Sequence, residues 1–182
     1  MEARFSFFKK PIGVTDKKPE KSTTLVEVYN LIKGETYEVL TEHLRELTGK
    51  KEIGDFKRNN LDFITFSGTF KTRFADQLIK HSNLICIDFD HIEDIDWLWD
   101  KLLIDEFFET SLMFRSPSGQ GIKWVVEIDT EEATHLDWFL GIEAYIKKVY
   151  GINIDKSGKD VCRACFLCHD KNAYINPKLL TK

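Results

Sequence analysis

No stretch of this 182-residue chain is apolar for long enough to cross a membrane, and its first residues carry no secretory h-region. Cysteine is sparse. Four residues (Cys86, Cys162, Cys165 and Cys168) without a signal segment exclude a secreted disulfide scaffold, and the expectation is a reducing, cytoplasmic compartment. There is no Gly-x-x-x-x-Gly-Lys-Ser/Thr segment, so the chain is not itself a P-loop ATPase. Internal repeats, low-complexity tracts and linkers are missing too. Positive charge is not in excess: the net charge of −4 argues against wholesale coating of nucleic acid, although it permits a local basic groove. What remains is ordinary. With 42% hydrophobic and 31% charged residues, the chain reads as one domain able to bury its own core.

The order of elements is mixed. Met1 to Lys21 reads as a strand or arm followed by a proline-punctuated loop. Thr24 and Glu27 form a capping box, after which Leu25, Val28, Tyr29 and Ile32 recur at helical spacing. A second helix follows Gly34 with Tyr37, Leu40, Leu44 and Leu47 on one stripe, and the charged run Lys50 to Asn60 reads as a loop or frayed helix. Asp62 to Phe66 is a strand candidate. Ile95, Leu98, Trp99, Leu102 and Leu103 fit an amphipathic helix. Ser111 to Ser116 and Ile122 to Ile128 read as strands joined in a hairpin. Asp129 and Glu132 suggest a capping box for the longest helix, from about Glu131 to Tyr150, which Gly151 stops. Ile152 to Asp155 and Arg163 to Leu167 suggest two more strands. Hairpin-ordered strands with helices between them favour an α+β fold with a mainly antiparallel sheet. The core then spans residues 61–182, with an arm and helices over 1–60.

The most informative stretch is Leu84-Ile-Cys-Ile-Asp-Phe-Asp-His91. In a strand, alternate side chains share a face, so Asp88 and Asp90 face one way while Ile85, Ile87 and Phe89 face the other. Two carboxylates about 6–7 Å apart on one face need a cation between them, and a divalent metal held by oxygen ligands is the natural one. The bland alternative is a buried strand ending in a polar turn.

Two further features stand at strand ends. In Ser116-Pro-Ser-Gly-Gln-Gly-Ile-Lys123, Gly119 and Gly121 permit close approach of backbone N–H groups to an anion, while Ser116, Ser118 and Lys123 add donors and a positive charge. A plain tight turn explains the same glycines. Asp155 offers a third carboxylate, and Arg163 can clamp phosphate oxygens in bidentate fashion. Cys162, Cys165, Cys168 and His169 lack the second ligand pair of a zinc module and read as small buried residues. The four tryptophans read as core, an exposed one being able to stack on a base. His81, His91 and His135 have no evident partner.

Taken in order, Phe5-Ser-Phe-Phe-Lys-Lys-Pro11, Thr65-Phe-Ser-Gly-Thr-Phe70, the Asp88/Asp90 strand, the Ser116 to Trp124 segment, Asp155-Lys-Ser-Gly-Lys-Asp160 and Arg163-Ala-Cys-Phe166 resemble the VirE-type N-terminal domain family of bacterial mobile elements. That family resembles, more distantly, the archaeo-eukaryotic primase superfamily of primase-polymerases. The resemblance implies an RRM-related antiparallel sheet with flanking helices and a DNA-replication role. It also implies a place in a longer protein that carries a helicase or ATPase. Asp88, Asp90 and Asp155 match the metal-binding carboxylates, with Asp160 a competitor for the third place. Mg²⁺ or Mn²⁺ is the implied cofactor. Ser116, Ser118, Gly119, Gly121, Lys123 and Arg163 fall at nucleotide-binding positions. Lys123 departs from the pattern, since it stands where that superfamily commonly has histidine; a lysine is a point charge without imidazole geometry.

Three readings follow. The first is a metal-dependent nucleotidyltransferase using a nucleoside triphosphate and single-stranded DNA or RNA. The second is an idle binding or recruitment module of the same fold. The third, more distant, is a haloacid-dehalogenase-type phosphohydrolase with Asp88 as nucleophile, which requires a parallel sheet.

Overall fold

The computed structural model describes residues 2–13 and 17–181, so parts of the expected N-terminal arm, residues 1 and 14–16, lie outside it. The chain opens with β1 (Phe5–Phe8) and β2 (Lys21–Thr23), followed by α1 (Leu25–Lys33), α2 (Glu38–Glu46) and α3 (Lys50–Asn60). Next come β3 (Phe63–Thr65), the hairpin of β4 (Gly68–Phe70) and β5 (Leu78–His81), and the long strand β6 (Leu84–Asp90). The remainder is α4 (Ile95–Leu103), β7 (Thr110–Arg115), β8 (Gly121–Glu127), α5 (His135–Tyr150), β9 (Cys165–Phe166) and β10 (Tyr174–Ile175).

The strands form two four-stranded sheets, ordered β2-β1-β3-β9 and β10-β7-β8-β6, plus the β4-β5 pair. Every pairing is antiparallel. The fold is therefore α+β, as expected, and the parallel sheet demanded by the phosphohydrolase reading is not present among the described residues. The antiparallel pairing is as expected, but the strands divide among two four-stranded sheets and one two-stranded sheet instead of forming one. Alternation along β6 and β8 explains the layering. Ile85, Ile87, Phe89, Ile122, Trp124 and Val126 point to one side and bury against Leu98 and Leu102 of α4 and Phe139, Ile142 and Ile146 of α5. On the other side, Leu84, Leu112, Phe114 and Val125 meet Phe5, Phe7 and Ile64 of the first sheet and the buried stripe of α1. Each fully buried side chain of this kind contributes about 1.5–3 kcal/mol. Apolar matter thus covers both faces of β6 except at its Asp88 end.

Local signals explain most helix boundaries. The Thr24/Glu27 capping box is formed, and Gly151 ends α5 in the left-handed conformation (φ 72°) that favours glycine. The cap of α5, however, is Thr134 with Asp137, not Asp129 with Glu132. Asp129 instead closes a turn by accepting the N–H of Glu131 at 2.8 Å. Lys50–Asn60 is a full helix rather than a loop, because Ile53, Phe56 and Asn60 form an inward stripe despite the charge around them. Residues 152–155 do not form a strand, and only Cys165–Phe166 of the last predicted strand does.

The histidines that lacked evident partners include a pair. His81 Nε2 lies 3.2 Å from His135 Nδ1, His135 Nε2 lies 3.2 Å from the Gly158 carbonyl, and His81 Nδ1 accepts the N–H of Asn83 at 3.0 Å. One neutral arrangement satisfies all three: each Nε2 carries its proton and donates onward. Burial, together with the neighbouring ring, pushes His81 down to about 4, and burial lowers His135 as well. The sign follows. The unfolded chain takes up protons below its ordinary histidine value near 6.5, whereas the folded chain resists until close to 4. Stability is therefore intact above pH 6.5 and falls as pH drops towards 4. Thermal unfolding followed between pH 7 and 4.5 should show a smaller loss in His81→Gln than in the wild type. Parallel curves would refute the neutral pair.

Candidate functional site

Antiparallel register places Asp88 directly opposite Lys123, and Asp90 opposite Gly121. Close approach requires glycine there, since a Cβ on Gly121 would stand 2.0 Å from the Phe89 carbonyl oxygen. Asp155 arrives from another direction. After α5 the chain returns irregularly along β6, and the Asp155 N–H donates to the Asp88 carbonyl at 2.9 Å. Its carboxylate then accepts the Ser157 N–H at 2.9 Å and Arg163 Nη2 at 3.1 Å. One oxygen from each of Asp88, Asp90 and Asp155 lies within 4.8 Å of the others, and no other trio of potential ligands does so among the described residues. Asp160 is outside that group and accepts the Cys162 N–H at 3.0 Å, although it lines the same cleft.

Asp88 is the strained member. Its side chain is 13% exposed and ion-paired with Lys123, itself 12% exposed. Its Oδ1 is buried with no hydrogen-bond partner. Burial raises the Asp88 carboxyl; Lys123 opposes the rise, and Asp90 and Asp155 add to it. Burial is the strongest single influence on Lys123 and would lower it, but the charge and hydrogen bond of Asp88 together with the neighbouring Cys165 and Cys86 outweigh it and hold the ammonium above its ordinary value. Asp88 itself thus has one paired cation and two neighbouring carboxylates. Burial would raise Asp155 too, yet the Ser157 hydrogen bonds and Arg163 hold it low. Asp62 gives the contrast. It is more deeply buried still, but Tyr37, Lys9 and the Lys10 N–H all donate to it, at 2.9, 3.2 and 3.0 Å.

The carboxylates open into a cleft of about 220 Å³ whose walls include Lys57, Arg73, Ser116, Ser118 and Arg163. Lys57 and Arg73 are additions that sequence reasoning missed. Lys57 lies on the inward stripe of α3, has no ion pair among the described residues, and is held low by burial and by Lys123. A cation on an otherwise inward helical stripe was the available signal. Arg73 stands over the Phe63 ring at 5.8 Å, and its Nε is buried without a partner. The expected glycine cradle is corrected in part. Gly119 (φ 76°) donates its N–H to the Ser116 carbonyl at 2.8 Å, so that group closes the turn instead of facing an anion. Ser116 Oγ lies 3.4 Å from Ser118 Oγ, which leaves hydroxyls and cations, not amides, to line the wall.

The cysteines disperse as expected of packing residues. Cys168 Sγ meets the Arg115 carbonyl at 3.3 Å, Cys162 Sγ meets Asp160, and Cys165 lies against Cys86, while His169 turns to the Gly34 carbonyl at 3.0 Å. Trp124 is fully buried, whereas Trp97 is 42% exposed and T-stacks on Tyr150, away from the cleft. A larger hollow of about 650 Å³ lies near Leu25, Asn83 and Glu127, but among the described residues no lysine or arginine lines it and it holds no clustered ligands.

Fold and site together define an α+β domain in which the long strand β6, at the edge of its sheet, carries a partly buried acidic cluster with Asp90 exposed, beside a basic cleft. Residues 56–175 match the model of the family described as BT4734-like, N-terminal domain, and the chain belongs to that family. The matched span contains every residue of the cleft named above. No curated protein and no solved structure matches the chain.

The glycine geometry yields a paired test. Gly121→Ala should destabilise the fold by about 1–3 kcal/mol through overpacking. Gly141→Ala, in α5 with open space around it, should stabilise by about 0.5–1 kcal/mol. Urea unfolding of both variants checks the contrast, and a neutral Gly121→Ala would contradict the close strand approach.

Proposed function

We propose that this domain binds a nucleoside triphosphate together with Mg²⁺ or Mn²⁺ and presents it to single-stranded nucleic acid, as the resemblance to VirE-type and primase-polymerase domains implies. The observation that carries the reading is a trio of carboxylates within 4.8 Å of one another beside a cleft lined by Lys57, Arg73, Lys123 and Arg163. The donor set fits the group. All three ligands are hard oxygens, and the buried Asp88 Oδ1 lacks the partner that a cation would supply. When bound, such ions lower the cost of charge on the attacking and leaving oxygens of an in-line displacement.

The chain's own residues would do the rest. Asp88, Asp90 and Asp155 hold the ions. Arg163 orients Asp155 and shares the phosphates, and Lys57, Arg73 and Lys123 balance the remaining phosphate charge. Ser116 and Ser118 donate to phosphate oxygens from the hairpin. Compensating that much charge in a half-closed cleft favours the triphosphate over a single phosphate. A mobile-element replication protein with a helicase or ATPase elsewhere in its parent chain suits such a domain.

A second reading, a module that binds without turnover, is favoured by Lys123 itself, since it already pairs with Asp88 and lacks the proton-sharing geometry of histidine. Calorimetry with Mn²⁺ and ATP or dATP should show metal-dependent nucleotide binding. Asp88→Asn/Asp90→Asn should lose Mn²⁺ binding, and Lys123→Ala should weaken nucleotide binding by about 1.5–3 kcal/mol, the range for a charged hydrogen-bond partner. Primer synthesis or extension on a single-stranded template, abolished by Asp88→Ala, would assign the enzyme; binding without it would assign the module. Absence of both nucleotide and single-strand binding in folded protein would defeat both readings.

A further inference from the structure

We propose that Lys123 is the resident counter-ion of the carboxylate cluster and that a divalent cation binds by displacing its ammonium from Asp88 towards the phosphates in the cleft. The proposal rests on the metal–nucleotide reading above and adds an exchange between two cations for one position. Three observations carry it. First, Lys123 reaches Asp88 from the paired strand directly opposite, and both side chains are almost wholly withdrawn from water, so the contact belongs to the interior and is not a chance surface pair. Second, the pairing uses only Oδ2 and leaves Oδ1 buried without a partner, so the lysine fills the place of a cation incompletely. Third, Lys123 and Asp88 both line the open cleft of about 220 Å³ as well as a small void of about 20 Å³ shared with Cys86 and Arg163, so the flexible lysine borders free space into which its ammonium can turn.

A divalent ion on the Asp88 oxygens and an ammonium at the same oxygens repel each other strongly in such a site. The ammonium must therefore leave when the metal enters, and a polyphosphate in the cleft offers it a new partner. Arg163 cannot play this part, because it pairs with Asp155 from a half-exposed position. Two consequences of opposite sign follow. Metal alone is opposed by Lys123, whereas metal with nucleotide is assisted by it. The coupling makes the domain respond to the metal–nucleotide complex rather than to free metal.

The test compares the wild type with Lys123→Met by calorimetry, first with Mn²⁺ alone and then with Mn²⁺ and ATP or dATP. Lys123→Met should bind Mn²⁺ alone more tightly, by a factor of about 5–150, the ordinary range of coupling between two ligands, and should bind the metal–nucleotide complex more weakly. Unchanged or weaker binding of Mn²⁺ alone overturns the exchange while leaving the metal reading intact. Absence of Mn²⁺ binding in both proteins overturns both. Should Lys123→Met fail to fold, the wild type supplies the answer through the ¹⁵N signal of its lysine ammonium groups, assigned with Lys123→Arg. The slowly exchanging Lys123 signal should vanish when Mg²⁺ perturbs the Asp88 amide. Its persistence under those conditions overturns the proposal.

Discussion

A carboxylate held almost out of water beside two others is the constraint on which the rest of this structure turns. At an effective dielectric near 20, two like charges about 4 Å apart repel by about 4 kcal/mol. One lysine cannot offset two such repulsions and the loss of hydration together. Asp62 shows that this fold can bury a carboxylate comfortably, with three donors around it. Asp88 is not treated in that way: it has one cationic partner and an orphaned oxygen. Accepting such a cost near the end of β6 marks Asp88 as a candidate for a functional site.

Holding the third carboxylate in place takes several weak supports. The segment after α5 joins no sheet and carries only a short 3₁₀ turn over Lys156–Lys159, yet three contacts fix it. The Asp155 N–H donates to the Asp88 carbonyl, His135 meets the Gly158 carbonyl, and Gly158 lies so close to the Phe139 ring that a Cβ would approach it to 2.8 Å. The histidine pair and the acidic cluster are therefore mechanically linked through one loop. Disturbing the helix N-terminus that carries His135 disturbs Asp155. The irregular backbone follows from this task, since a strand there would aim alternate side chains elsewhere.

How much of this was legible in the sequence depended on whether the signal was local. Two-residue alternation placed Asp88 and Asp90 on one face of β6, and the Pro117 to Gly121 turn placed Lys123 opposite them. Capping residues fixed α1, and Gly151 fixed the end of α5. Signals that needed tertiary context failed. Thr134 with Asp137 and Asp129 with Glu132 are equally good capping pairs on paper, and only packing of Phe139 and Ile142 chooses between them. Lys50–Asn60 looked too polar to be an ordered helix because its inward stripe is only half-buried and its cleft-facing residue is a lysine. Arg73 and the two histidines become partners only when segments distant in sequence meet across the two sheets.

The net charge of the chain hides the arrangement that matters. Within one cleft, carboxylates gather at the β6 end while Lys57, Arg73 and Arg163 stand on walls supplied by α3 and by the loops flanking the first sheet. A free anion would meet the carboxylates, and a free cation would meet the lysines and arginines, so neither alone answers both halves of the field. A cation coordinated by a polyanion answers both at once. Lys123 sits at the boundary between the halves, paired to the acidic side yet lining the basic one. That position is why a lysine at 123 does more than replace the imidazole expected from the resemblance. In the proposed reading its charge goes to whichever half lacks a partner, and so it would join the two halves into one binding site.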